Sequence, residues 1–237
     1  MRYVFHALAP HDQLVYLDES TKALKPFEGE LENEGRQVKV LFLDSEGKES
    51  IKNVSYDDIA AEYRFQYMPR LVFAQESDLR NMSVSWGLDE DVFPSAESLG
   101  FAGELLRGSV CDSIALKFIS ESMGAGLFAT CKIPKQSFIG EYCGVVGHGS
   151  RSGKPSAYAL NFPSGDSHEI DSLHVGSLMW FCNHSDSPNC SFRSVWLDCC
   201  VHVVVMVGDV DVEAGCQLTV DYGKGYWHGQ GGEVEPI

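Results

Sequence analysis

The sequence predicts a mostly β fold with few short helices, preceded by an α+β N-terminal region. Three observations lead there. From about residue 113 onward the apolar residues come in short runs punctuated by glycine, as strands and their turns do. One of those runs, VHVVVMVG at Val201 to Gly208, is too apolar for a one-faced strand and reads as buried on both faces. Clear helical spacing is confined to the first part, at Ile59, Tyr63 and Tyr67.

The elements follow in order. The start, MRYVFHALAPHDQ, holds a short apolar run broken by His6 and stopped by Pro10, without the longer core and cleavage site of a secretory signal. VKVLFL (Val38 to Leu43) reads as a strand and the DSEG after it as a turn. YDDIAAEYRFQY (Tyr56 to Tyr67) reads as a helix with Asp57 and Asp58 in its first turn, stopped by Pro69. LVFA (Leu71 to Ala74) is another strand. Residues 78–100 are turn-rich and receive no assignment. In the second half, SIALKFI (Ser113 to Ile119), SFIGEYCGVVG (Ser137 to Gly147), VHVVVMVG and QLTVDYG (Gln217 to Gly223) read as strands. GAGLF (Gly124 to Phe128) reads as a β-turn between strands, and SLHVGSLMW (Ser172 to Trp180) as the one short helix. The boundary between the two parts falls near residue 110.

Composition narrows the function. The 237-residue chain is 44% hydrophobic and 22% charged, ordinary for a globular protein able to bury a core without metal or disulfide staples. With 34 acidic and 18 basic residues its formal net charge is -16. That argues against direct nucleic-acid binding, which wants a Lys/Arg surface, and suits a basic partner. No segment reaches the length of a membrane span, and no Lys/Arg cluster marks nuclear import. None of the eight cysteines forms a C-x-x-C pair, so most read as buried small side chains in a reducing compartment.

Chemistry concentrates in two stretches. FCNHSDSPNC (Phe181 to Cys190) packs His184, Asp186, two cysteines and two asparagines into ten residues. A metal site would need three or four ligands in open geometry, and His168 and His174 lie nearby only in loop-like context. A nucleophile would be Cys182 or Cys190 with His184 as base, which requires a lowered thiol pKa. A buried polar crossing, with Asn and Ser bonding loop backbone and Pro188 fixing a turn, accounts for the composition but names no activity. VDYGKGYW (Val220 to Trp227) is either core packing or an aromatic pocket for a cationic group.

The ordered set GAGLFA, IGEYCGVV, EID, FCNHSDSPN and LTVDYG resembles the SET-domain protein-lysine methyltransferases, over about Ser113 to Trp227. The resemblance implies a SET-domain β-clip architecture with a pseudoknot-like C-terminal crossing over residues 111–227. It leaves 1–110 as a flanking region of unknown role and 228–237 as a short tail. It implies S-adenosyl-L-methionine as cofactor, lined by Ala125, Gly126, Leu127, Phe128, Tyr158, Asn183 and His184. Tyr222 would be the tyrosine at the transfer centre, with Tyr142 lining the lysine channel. Phe192, Val220 and Tyr226 complete that channel. No metal is implied.

Departures from the common pattern sharpen this. Asp186 stands where many relatives place a zinc cysteine, and no cysteine follows Cys216, which resembles the chlamydial-type SET proteins that lack the post-SET zinc region. Trp227 and Tyr226 would then close the cofactor site. Trp180 stands where Arg is frequent, and Phe192 and Val220 stand where tyrosine can limit the number of methyl groups. The implied reaction is methyl transfer to a lysine amine of a histone tail or a histone-like protein. A non-catalytic SET module acting as a protein-binding or scaffold domain is the alternative. The implied location is cytoplasmic or, as for a bacterial effector, a host cell and its nucleus; the oligomeric state is left open.

Overall fold

The computed structural model describes residues 4–6, 14–17, 24–26, 36–43, 48–75, 77–78, 94–96, 98–148, 156–162, 168–197, 200–223 and 226. The expected DSEG turn, most of 78–100, Trp227 and the 228–237 tail lie outside them. The fold is mostly β. A seven-stranded sheet joins β1 (Val4–His6), β2 (Leu14–Leu17), β3 (Leu24–Pro26), β7 (Val72–Phe73), β11 (Val145–His148), β12 (Ala159–Asn161) and β13 (His168–Asp171), in the order β12-β13-β11-β7-β1-β2-β3. A four-stranded sheet runs β5-β4-β8-β9, from β4 (Gln37–Leu43), β5 (Glu49–Ser55), β8 (Ile114–Ser120) and β9 (Gly124–Ala129). A third joins β10 (Phe138–Glu141), β17 (Cys200–Val207) and β16 (Cys190–Leu197). Two short parallel ladders complete the set: β6 (Gln66–Tyr67) with β14 (Val175–Gly176), and β15 (Asn183–His184) with β18 (Thr219–Val220).

Strands from both sides of residue 110 pair directly, β4 with β8 and β7 with β11, all in parallel. One hydrophobic core accordingly draws Tyr56, Phe65 and Phe73 together with Leu127, Phe181, Val205 and Leu218. The apolar run of β17 is buried on both faces, with Val201, Val205 and Val207 in this core and Val204 in a second cluster with Phe101, Leu105 and Val195. No helix among the described residues is long and apolar enough to cross a membrane.

Several local expectations are corrected. Helix α1 spans Tyr56–Tyr63, capped by the Ser55 hydroxyl on the Asp58 N–H, a standard N-cap. It ends at Arg64, whose left-handed backbone (φ 58°) closes the last turn, and not at Pro69. The gain is tertiary: Phe65 and Tyr67 turn into the core, and the backbone from Gln66 to Met68 pairs with residues 174–176. GAGLF is strand β9, laid antiparallel on β8; the turn is at residues 121–123. The expected strand from Ser137 to Gly147 divides between two sheets at residues 142–144, and Gly144 permits the division. A Cβ there would come 2.6 Å from the Asp171 carbonyl oxygen. SLHVGSLMW forms β14 and a 3₁₀ turn, Leu178–Phe181, because Met68 donates its N–H to the Gly176 carbonyl and holds that segment extended. QLTVDYG is regular only at Thr219–Val220. A second short helix, α2 (Ala102–Arg107), was not anticipated.

Candidate active site

Asn183 lies opposite Thr219, and His184 opposite Val220, in the parallel β15–β18 ladder. Asn189 ties the crossing from the other side. Its Nδ2 donates to the Gln217 carbonyl at 2.7 Å, and its Oδ1 accepts the Thr219 N–H at 2.9 Å. The short polar side chains of FCNHSDSPNC thus serve backbone groups that would otherwise be buried unpaired. The two cysteines of the stretch are buried, and burial pushes the Cys190 thiol up to about 12 and that of Cys182 higher still. Thiols held protonated are poor nucleophiles.

The crossing brings the two motif ends into contact. The Tyr222 N–H donates to His184 Nδ1 at 3.2 Å. The ring proton of neutral His184 then sits on Nε2, which faces Asp186 Oδ1 at 3.3 Å. The Tyr222 hydroxyl donates to the Cys182 carbonyl at 2.9 Å, and the Tyr142 hydroxyl to the Tyr158 carbonyl at 2.8 Å. Burial drives both phenols well above their ordinary range. Asn183 Nδ2 donates to the Ala125 carbonyl at 3.2 Å and so joins the crossing to β9.

Two cavities meet here. The wider, about 400 Å³, is walled by Met123, Gly124 and Ala125 on one side and by Asn183, His184 and Phe181 on the other. The narrower, about 30 Å³, runs between Tyr142, Leu160, Met179, Cys182 and Phe192. Tyr158, Trp180, Tyr222 and Tyr226 line both, so they mark the junction. The aromatic wall is stacked: Trp180 lies between Tyr158 (4.7 Å) and Phe65 (5.4 Å), nearly parallel to each. Tyr226 packs edge-on to Tyr222 at 4.8 Å, and Phe192 edge-on to Tyr142 at 5.5 Å.

Most of the residues expected from the sequence converge on these cavities: Tyr142, Tyr158, Phe192, Tyr222 and Tyr226 at the narrow one, Ala125, Asn183 and His184 at the wide one. Four are not on either wall. Leu127 and Val220 are fully buried in the core. Phe128 pairs with Gln217 and lies beneath the Lys117 ammonium, 5.5 Å from its ring centre. Gly126 lies behind the wall, where a Cβ would meet Gln217 Nε2 at 2.6 Å and Asn183 Nδ2 at 3.0 Å. Among the wall residues that sequence reading missed are Ser122 and Met123, from the turn before β9, Ala157, Leu160 and Met179, and Tyr63, from α1. The helical spacing of Tyr63 indicates burial and nothing about a cavity.

Residues 124–223 match the family model described as SET domain. The chain is 32% identical over 124 residues to a histone-lysine N-methyltransferase, H3 lysine-36 specific, of Schizosaccharomyces pombe, covering 44% of this chain and 14% of that protein. It is 31% identical over 112 residues to histone-lysine N-methyltransferase SETD2 of Homo sapiens, covering 44% and 4%. It is 29% identical over 112 residues to histone-lysine N-methyltransferase EZ2 of Zea mays, covering 45% and 12%. The chain therefore spans a small fraction of the length of these relatives. Among solved structures, an active polycomb repressive complex 2 in the stimulated state aligns with TM-score 0.43 at 23% identity, over 51% of this chain and 16% of that one. Most residues of both cavity walls lie within the SET domain match, whereas Tyr63, Ser122, Met123 and Tyr226 lie outside it.

Proposed function

We propose that this protein is an S-adenosyl-L-methionine-dependent protein-lysine methyltransferase acting on a basic protein such as a histone tail or a histone-like protein. The observation that carries the reading is the junction: a nucleoside-sized cavity opens onto a narrow aromatic one at Tyr222, beside Asn183 and His184. The wide cavity suits the cofactor in volume and in chemistry. Asn183 and His184 offer polar contacts, and the faces of Tyr158, Trp180 and Tyr226 attract a sulfonium. Bound there, the cofactor supplies an activated methyl group.

The chain's own residues do the rest. A lysine amine has an ordinary pKa of about 10.4, and only its neutral form is nucleophilic. Enclosure between Tyr142, Phe192 and Tyr222 disfavours the ammonium by desolvation. Neither phenol acts as base, since both hydroxyl protons are held by carbonyls and burial keeps them on. With their protons engaged, the two oxygens present lone pairs to the amine N–H groups and aim its free pair at the junction. That alignment is an orientation effect of the kind that removes several kcal/mol from a barrier. Phe192 keeps the inner end apolar, which favours two or three methyl groups on the product. The chain's net charge of -16 draws lysine-rich partners toward it.

The test is transfer of labelled methyl from S-adenosyl-L-methionine to core histones and a bacterial histone-like protein, with Tyr222→Phe as control. Label on substrate with the parent, and at least about a hundredfold less with the variant at similar cofactor affinity, supports the reading. Measurable cofactor binding with no transfer to any basic protein favours the scaffold alternative.

A further inference from the structure

Away from both cavities, three side chains converge that methyl transfer does not use. His148 ends β11 and His168 begins β13, and they are direct cross-strand partners, ring centres 3.8 Å apart. Asp78 comes from the segment following β7, the strand that flanks β11 on its other edge. One ligand-capable atom of each residue lies within 4.8 Å of the other two. Asp78 and His168 are 4% and 3% exposed, while His148 faces solvent.

His168 Nε2 stands 3.7 Å from Asp78 Oδ1, beyond hydrogen-bond reach. It is close to the roughly 3.4 Å between two ligands of a tetrahedral ion whose bonds are about 2.0–2.2 Å. The other carboxylate oxygen, Oδ2, accepts the Gln75 N–H at 3.0 Å. A ligating carboxylate is usually fixed by such an outer hydrogen bond. His148, at a strand end and exposed, is free to turn its ring the remaining distance. Two imidazoles and one carboxylate suit zinc and its first-row neighbours, whereas magnesium and calcium want oxygen throughout.

We propose that Asp78, His148 and His168 bind one divalent first-row transition cation, zinc foremost, with water completing its shell on the solvent side. The ion ties the segment after β7 to β11 and β13 and so clamps one end of their ladder in the seven-stranded sheet. Its place is the end of the β11–β13 ladder farthest from Asp171, whose Oδ1 accepts from Ser156 just before the cavity wall at Ala157 and Tyr158. Its role is therefore in stability and not in methyl transfer.

The test uses the full chain carrying Cys131→Ser and Cys216→Ser, which removes two exposed thiols as competing ligands. Zinc is titrated by calorimetry and cobalt by visible absorption. The expected result is one equivalent bound, cobalt bands of a nitrogen and oxygen site, and a zinc-dependent rise in thermal midpoint. His148→Ala, at an exposed position, is expected to weaken binding by at least about a hundredfold and abolish that rise; His148→Asn does the same should the alanine variant fold poorly. Absence of stoichiometric binding, equal affinity in the His148 variants, or thiolate-to-cobalt charge-transfer bands would overturn the proposal.

Discussion

Gly126→Ala probes the joint between β9 and the crossing without removing any polar group. The added Cβ would stand 2.6 Å from Gln217 Nε2, 2.9 Å from Ile119 Cδ1 and 3.0 Å from Asn183 Nδ2. All three are side-chain ends, so they can retreat, but Asn183 can do so only by loosening its 3.2 Å bond to the Ala125 carbonyl. Overpacking of this kind costs about 1–3 kcal/mol, and the weakened hydrogen bond about 1 kcal/mol. The stiffer unfolded chain returns about 0.4–1 kcal/mol, since the Gly126 backbone is not left-handed. A net loss near 2 kcal/mol lowers the thermal midpoint of a chain this size by about 4–8 °C. Because Asn183 forms part of the wide cavity's wall, the cofactor's Kd should rise about fivefold. Differential scanning fluorimetry and calorimetric titration with S-adenosyl-L-methionine read the two effects. A variant with unchanged midpoint and unchanged Kd would refute the packing of Gly126 against Asn183.

Other consequences are as direct. Tyr142→Phe removes the bond to the Tyr158 carbonyl and should lower kcat with little change in cofactor affinity, because Tyr142 lines only the narrow cavity; an unchanged kcat counts against its role. Tyr142 and Tyr222 have folded pKa values raised above the unfolded value of about 10, so the stability they contribute is complete below that pH and declines as pH rises through it. A denaturation midpoint flat from pH 9 to about 11.5 would contradict this. Cys131 and Cys216 are exposed, whereas Cys143, Cys182, Cys190 and Cys200 are buried. In the folded protein, alkylation followed by peptide mass spectrometry should label the exposed pair first, and fast labelling of Cys182 or Cys190 would contradict their burial.

What was legible in the sequence was legible for physical reasons. VHVVVMVG announced β17 because a strand covered on both faces has no room for polar side chains. The crossing between the NHS and DYG tyrosine motifs was legible through the family resemblance those motifs carry, and the Asn189 groups that support it are local to FCNHSDSPNC. GAGLFA was misread since its glycines suggest a turn, while its strand character comes from pairing with β8. β5 escaped notice because it is an edge strand, exposed from Glu49 to Asn53 and carrying charge, which blunts the apolar alternation that marks strands. Tyr63, Phe65 and Trp180 are ordinary core aromatics in sequence. Only tertiary packing, with α1 ending early at Arg64, sets Tyr63 and Trp180 in one wall of the wide cavity and stacks Phe65 on Trp180.

Methyl transfer to lysine at the Tyr222 junction, the reaction we propose, can be read out directly on the product. The most direct measurement is mass spectrometry of histones incubated with purified protein and deuterated-methyl S-adenosyl-L-methionine. Labelled methyl is expected on lysine ε-amines of parent-treated histones, strongly reduced with Tyr222→Phe. Label on another residue type, or no label while the cofactor is bound, would contradict it.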